Sequence, residues 1–390
     1  MIQTRRSLWI ATAVMAIAVM AVRVDRLHGQ DSLSAAIDSL GAFDFPTRMT
    51  AARTVRRAAA AEAVPLLTAA VKTHADSYVR YRALVLLVGF DDKGTADVMT
   101  SVLADRNDRL RAVAYEWFER NTASAPVQAL IDALPKESSE FVRPALTRAL
   151  TALNADPRVR AAIAPLIASG EDFFRGEVIQ GLGDYKAAWA APAILAVANL
   201  DGPLQDDGVL ALGKIGDASV LPALGELQKQ VPRERQPALA AAICMLGINC
   251  TGHRQYLDDS VKFAVDNTGF QVLLRASAHA LGAFAERGDQ AAFKSLMDVG
   301  MTAGDQAKGP IALSLGAAAV RQPAALMSAL AARSTDQAAA IELLRDAFDM
   351  LAEDFAEEMF YVTVRRAYWA AADGSAARRL AEAVLQKLEF

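Results

Sequence analysis

Cys244 and Cys250 are the only cysteines among 390 residues, with five residues between them and His253 just beyond. Such a set can close a disulfide or begin a metal site. In an oxidising compartment an even, closely spaced pair invites a disulfide. Residues six apart in an unbroken helix lie about 9 Å apart, beyond the roughly 7 Å that a disulfide spans, so the chain must turn between them. Gly247 and Asn249 permit that turn. The zinc reading would use Cys244, Cys250 and His253, but no fourth ligand stands nearby. The expected state is the disulfide, with no metal site.

The other titratable residues do not converge on a reaction. The four histidines are His28, His74, His253 and His279, none is followed by Glu, and no H-E-x-x-H pattern occurs. This weighs against a metallohydrolase. A complete phosphate-binding G-x-x-x-x-G-K-[ST] loop and a G-x-S-x-G nucleophile turn are also missing from the sequence. The acidic pairs Asp91-Asp92, Asp206-Asp207 and Asp258-Asp259 fall at predicted turns or helix starts. Asp caps free N–H groups there, and none of the pairs has calcium-loop spacing. No catalytic, cofactor-binding or metal-ligating residue is therefore assigned, no cofactor is expected, and the chain is read as a non-enzyme.

Arginines recur with a period. Tyr78-Val79-Arg80, Arg109-Leu110-Arg111, Phe141-Val142-Arg143 and Phe173-Phe174-Arg175 place successive arginines 31, 32 and 32 residues apart. The series continues more loosely at Gly208-Val209-Leu210, Pro237-Ala238-Leu239, Leu273-Leu274-Arg275 and Pro310-Ile311-Ala312. Stacked along one edge, such arginines could clamp anions. Asp108, Glu140 and Asp172 each stand three residues before an arginine, however, which favours a structural ladder of Arg80, Arg111, Arg143 and Arg175 with these acids.

Near the C-terminus, Phe348, Phe355, Phe360, Tyr361, Tyr368 and Trp369 place six rings within 22 residues. They would close the open end of a core or form a partner-binding patch, for which Phe360, Tyr361, Tyr368 and Trp369 are the candidates. The charged run from Glu353 to Glu358 is expected on the solvated face of the same helix.

The elements that must position these residues follow from the same period. Asp207 to Leu227, DGVLALGKIGDASVLPALGEL, reads as helix, tight Gly-Asp turn, helix, and the pattern recurs about every 32 residues. A period in that range means a solenoid, whose units bury their apolar faces only against neighbours. First helices are expected at Val64–Val71, Val98–Ala104, Val127–Leu134, Ile163–Ala168, Pro192–Val197 and Val220–Leu227, where apolar residues step by three and four. Pro65, Pro126, Pro192 and Pro222 fall near their starts, where a missing N–H costs little. Pro165 sits deeper, as a kink. Gly183-Asp184 and Gly216-Asp217 each read as a C-terminal glycine before an acidic cap. With no period-two segment, the fold class is all-α, a right-handed superhelix of about ten helical pairs from near Ser32 to Leu380–Leu388.

Asp207 to Leu227 resembles the HEAT-like repeat of phycobilisome lyases, in which an acidic cap and a Val-Arg pair precede Ala-Leu-Gly-x-Ile-Gly-Asp and then Pro-x-Leu. The cleanest match is Ala211-Leu212-Gly213-Lys214-Ile215-Gly216-Asp217 with Pro222-Ala223-Leu224, and the resemblance runs over most of residues 45 to 320. It implies the fold, and it admits a lyase-like enzyme or accessory subunit as the alternative function. A reactive cysteine in a ring-lined cleft would favour that alternative, whereas a closed Cys244–Cys250 disulfide would remove the obvious thiol. HEAT-repeat diiron hydroxylases depend on His-Glu pairs that this sequence lacks.

Residues 1 to 29 stand outside the repeat. Arg5 and Arg6 precede the uncharged run Leu8 to Val22, and a polar stretch ending Leu27-His28-Gly29 follows. This is the layout of a signal peptide cleaved after Gly29, and the run is short of the roughly 20 residues that span a bilayer. Thr4-Arg5-Arg6-Ser7-Leu8-Trp9 also resembles a twin-arginine export signal. Either route predicts a periplasmic or secreted bacterial protein with no stable membrane span. The solenoid would then occupy residues 30–390 as one continuous domain, with 340–390 as its closing unit.

Hydrophobic residues make up 53% of the chain and aromatics only 7%, so the core is Ala and Leu. Loss of Arg5, Arg6, Arg23 and Arg26 with Asp25 takes the formal charge from −4 to −7. Nucleic-acid phosphates demand a basic stripe, so DNA-repair glycosylases built from HEAT-like repeats do not fit. The remaining expectation is an exported scaffold that binds a protein or peptide on a concave surface lined by the second helices.

Overall fold

A computed structural model describes residues 31–351 and 354–388. The expected signal segment lies outside them. Among the described residues all regular structure is helical, and no helix is long and apolar enough to cross a membrane. The chain divides into two compact units, Met1–Val98 and Met99–Phe390.

In the first unit, α1 (residues 31–39) and α2 (Phe45–Arg57) precede a helical hairpin of α3 (Ala60–Thr73) and α4 (Ser77–Val88). Short polar residues start α2 and α4. Asp44 accepts from the Thr47 amide and Asp76 from the Tyr78 amide, satisfying first-turn donors. Leu67, Val71, Leu84 and Leu87 are fully buried in the hairpin, each contributing about 1.5–3 kcal/mol of transfer free energy. Helix α5 (Thr95–Val102) spans the division.

The second unit alternates first and second helices. The first helices are α7 (Val127–Ala133), α9 (Pro157–Ala168), α11 (Ala191–Ala198), α13 (Leu221–Gln230), α15 (Cys250–Asp266), α17 (Gln290–Thr302) and α19 (Pro323–Ala331). The second helices are α6 (Asp108–Arg120), α8 (Arg143–Ala152), α10 (Asp172–Asp184), α12 (Gln205–Ile215), α14 (Gln236–Met245), α16 (Gln271–Ala285), α18 (Asp305–Arg321) and α20 (Gln337–Phe348). Each second helix packs on the next, forming one continuous row. Helices α21 (Asp354–Ala370) and α22 (Ala376–Leu388) pack on each other and on α18, α19 and α20.

Glycine sets how closely the row packs. A Cβ on Gly183 would lie 2.7 Å from the Ala211 Cα, and one on Gly213 would lie 2.6 Å from the Ala242 Cα. Successive second helices thus touch backbone to backbone at equivalent positions. The two Gly-Asp pairs therefore differ in role. Gly216 ends α12 with φ +84°, and Asp217 accepts from the Ser219 amide, as a turn requires. Gly183, by contrast, is buried inside α10, and Asp184 is that helix's last residue rather than a cap.

Prolines depart from expectation in one place. Pro192 and Pro222 occupy first-turn positions, but Pro65, like Pro165, lies inside its helix because α3 starts upstream at Ala60. The acidic pairs also vary. Asp92 accepts from the Gly94 amide in a turn. Asp206 and Asp207 occupy the first turn of α12 without capping it, and Asp258-Asp259 fall in mid-α15, where Asp259 accepts from Gln255.

Candidate functional site

The arginine series has a backbone partner. Arg80 Nε donates to the Val71 carbonyl at 2.7 Å, Arg111 Nη1 to the Asp105 carbonyl at 2.7 Å, and Arg175 Nε to the Ile167 carbonyl at 3.2 Å. Each satisfies a carbonyl at or just beyond the end of the preceding first helix, where carbonyls lack helical partners. Glutamine takes over downstream. Gln205 reaches Ala198, Gln236 reaches Gln228 and Gln337 reaches Leu330, at 3.1, 2.8 and 2.9 Å. The true successors of Arg175 are thus Gln205 and Gln236, and the looser matches at Leu210 and Leu239 are out of register.

The proposed acid–arginine ladder is correspondingly corrected. Only Arg175 pairs with the acid three residues before it, Asp172, at 2.8 Å. Arg111 instead makes a two-pronged pair with Glu137, at 2.7 and 2.8 Å, because the loop before α8 carries that carboxylate inward. Arg143 lies 4.4 Å over the Phe174 ring. Asp108 lies 3.5 Å from the Ser139 hydroxyl, and Glu140 is exposed.

Toward the opposite end of the second helices, charged side chains converge. Arg148 on α8 bonds Glu119 on α6 and Asp184 on α10, both at 3.0 Å. Lys214 on α12 bonds Asp184 at 2.7 Å and Glu286, just past α16, at 2.8 Å. Arg321, ending α18, bonds Asp184 at 2.8 Å, and the Tyr185 hydroxyl donates to Glu119 at 2.7 Å. Three cations face three carboxylates. Arg148 and Lys214 are 12% and 10% exposed, so the set is largely enclosed. Lys214 and Arg321, in the last turns of α12 and α18, also suit the helix dipoles.

Electrostatics keeps the set ionised. Burial pushes Asp184 up, but Lys214, Arg321 and Arg148 outweigh it and hold the carboxyl well below the usual range. Glu119 and Glu286 follow the same balance, the first through Arg148 and Arg321 and the second through Lys214 and Arg321. Burial would lower Lys214, yet Glu286 and Asp184 raise it above its ordinary value. Higher on the same helices, Gln180 donates to Asp207 at 3.1 Å, and burial raises both Asp206 and Asp207.

The cysteines are joined. Cys244 and Cys250 form a disulfide with Cα atoms 4.2 Å apart, and Gly247 (φ +90°) and Asn249 (φ +42°) make the turn between α14 and α15. Neither thiol is free. His253 follows in α15, and burial lowers its pKa. Among the described residues no group of three or more His, Cys, Asp and Glu side chains could hold a metal ion.

The C-terminal rings divide by burial. Phe360 is fully buried and Tyr361 is 8% exposed; both pack on Phe348, with centroids 4.8 and 6.2 Å away, and the Tyr361 hydroxyl donates to the Leu388 carbonyl. These two are core, not partner-binding, because α21 turns that face onto α20 and α22. Glu358 is likewise buried and paired with Arg365 at 2.8 Å, so the charged run is not wholly solvated. Trp369 is 73% exposed beside half-buried Tyr368, and Arg378 lies over both rings. Further exposed rings stand elsewhere, among them Phe43, Phe45 and Phe270. Phe141 and Phe173, each two residues before the arginine of its helix, are 88% and 60% exposed.

Stacked helical pairs, side-chain anchors on helix ends and glycine-mediated close packing define an all-α solenoid of HEAT-like repeats. The family model described as HEAT repeats matches residues 31–119. No curated protein matches the chain. Among solved structures, the complex of CpcE and CpcF of phycocyanin lyase from Nostoc sp. PCC7120 is 19% identical, over 65% of this chain and 94% of that one, with a TM-score of 0.39. A structure of the interaction between cadherin and beta-catenin is 11% identical, over 93% and 95% of the two chains, at 0.31. Kap121p bound to Nup53p is 15% identical, over 92% of this chain and 45% of that one, at 0.30. These are likenesses of fold alone.

Proposed function

We propose that this chain is an exported, non-enzymatic HEAT-like scaffold that binds an extended segment of a protein or peptide. The observation that carries the reading is a register. Phe141 and Phe173 stand exposed at equivalent positions of consecutive repeats, 32 residues apart, at the helix ends opposite the ion cluster. Neighbouring second helices lie about 8–10 Å apart, and an extended polyproline-II segment rises about 3.1 Å per residue with three residues per turn, which returns every third side chain to one face. A partner with apolar side chains about three residues apart would therefore meet both rings.

The charged side chains support the same reading from the other direction. Arg148, Asp184, Lys214, Glu286 and Arg321 are engaged with one another, and both cysteines are in the disulfide. Export rests on the arginines and uncharged run of residues 1 to 29. The test is selection from a displayed peptide library against the purified chain. Selected peptides should share apolar residues three apart and crosslink near Phe141 and Phe173. Selection of no peptide, with a tight small-molecule ligand found instead, would remove the scaffold reading.

A further inference from the structure

From the ion cluster we infer that Asp184 and Arg321 form a latch that holds the second-helix row of residues 99–390 in a closed arc, and that breaking it opens the arc while leaving the helices intact. Geometry carries this. The row runs α10, α12, α14, α16, α18, so four steps of about 8–10 Å would place α10 and α18 some 32–40 Å apart in a straight stack. Their last residues nevertheless bond at 2.8 Å across 137 residues of sequence.

Side chains make the α10–α18 bond, and the row is also tied where α12 meets α16 and where α6 meets α21, with Arg120 5.9 Å over the Phe355 ring. Helices α10 and α18 are not packed against each other, whereas every consecutive pair along the row is. A repeat array is held by nearest-neighbour contacts, which leave its curvature soft. Here long side chains add bonds between non-neighbours: Arg321 to Asp184, Lys214 to Glu286 across 72 residues, and Tyr185 to Glu119 across 66. Asp184 accepts from Arg148, Lys214 and Arg321 together, so it is the keystone. Arg321, 33% exposed, is the member that can leave most easily.

The test measures a distance within this unit in the full chain. Spin labels at Ala188→Cys, just beyond α10, and Ala324→Cys, just beyond α18, are read by double electron–electron resonance with the native disulfide kept oxidised. The latched arc gives one narrow distribution. Arg321→Met and Asp184→Asn should each lengthen and broaden it, with helical circular dichroism unchanged in Arg321→Met. Should Asp184→Asn lose its helical signal, Arg321→Met alone decides. An Arg321→Met distribution identical to that of the parent overturns the latch.

Discussion

Arg321 Nη1 donates to Asp184 Oδ2 at 2.8 Å, joining the last turns of two helices that are 137 residues apart in sequence. Around this bond, Arg148 and Lys214 complete a set in which cations and carboxylates are equal in number. A buried ion-paired set is costly to break because removal of one member strands the others. Lys214→Met should therefore cost about 3–5 kcal/mol in a denaturant titration. Adding Glu286→Gln restores charge balance and should recover part of that loss. A double variant as unstable as the sum of the singles would contradict the coupling.

Acid should unlatch the same set. Glu119, Asp184 and Glu286 have folded pKa values below their unfolded ones, so their stabilising contribution is fully present above the unfolded values. It is lost as pH falls through the folded values. Asp206 and Asp207 are raised by burial and behave oppositely, costing stability as pH rises through their folded values. The denaturation midpoint should thus fall below about pH 4, and Asp207→Asn should raise Tm at neutral pH by about 1–3 °C. A neutral-pH Tm lowered by Asp207→Asn counts against this assignment.

Glycine positions make a paired prediction. A methyl at Gly183 would meet backbone of Ala211 at 2.7 Å, so Gly183→Ala should cost about 1–3 kcal/mol through overpacking. In α13, Gly225 has nothing within 4 Å, and Gly225→Ala should stabilise by about 0.5–1 kcal/mol through helix propensity alone. Thermal melts of the two variants should move in opposite directions.

Removing the disulfide should weaken the fold without dismantling it. Its loop is short, with a sequence separation of six, and chain-entropy scaling gives about 2 kcal/mol. Cys244→Ala with Cys250→Ala should lower the denaturation midpoint yet keep peptide binding. Loss of binding with an intact helical signal would place the cysteines in the function itself.

The repeat was legible in the sequence because its determinants are local. Apolar steps of three and four, Gly216-Asp217 and first-turn prolines specify each helix within a dozen residues. The ion cluster was not legible. Its members lie 66 to 137 residues apart where the arc closes, and that closure accumulates from small rotations at each repeat. A weak signal existed, since Glu119, Asp184 and Lys214 occupy last turns of second helices and Arg148 stands four residues before the end of α8. Gln205 and Gln236 escaped for another reason. They do arginine's work at spacings of 30 and 31 residues, but a search for the Val-Arg pair slides past them. Phe360 and Tyr361 show the opposite limit, because rings that close a core and rings that bind partners have the same composition.

Affinity at the two exposed rings tests the scaffold claim most directly. Isothermal titration of a library-selected peptide against the parent chain and against Phe141→Asp with Phe173→Asp compares binding at two surface positions whose replacement leaves the core untouched. The scaffold account predicts at least about a tenfold loss of affinity, roughly 1.4 kcal/mol, with identical helical circular dichroism. Undiminished affinity in the double variant would contradict it.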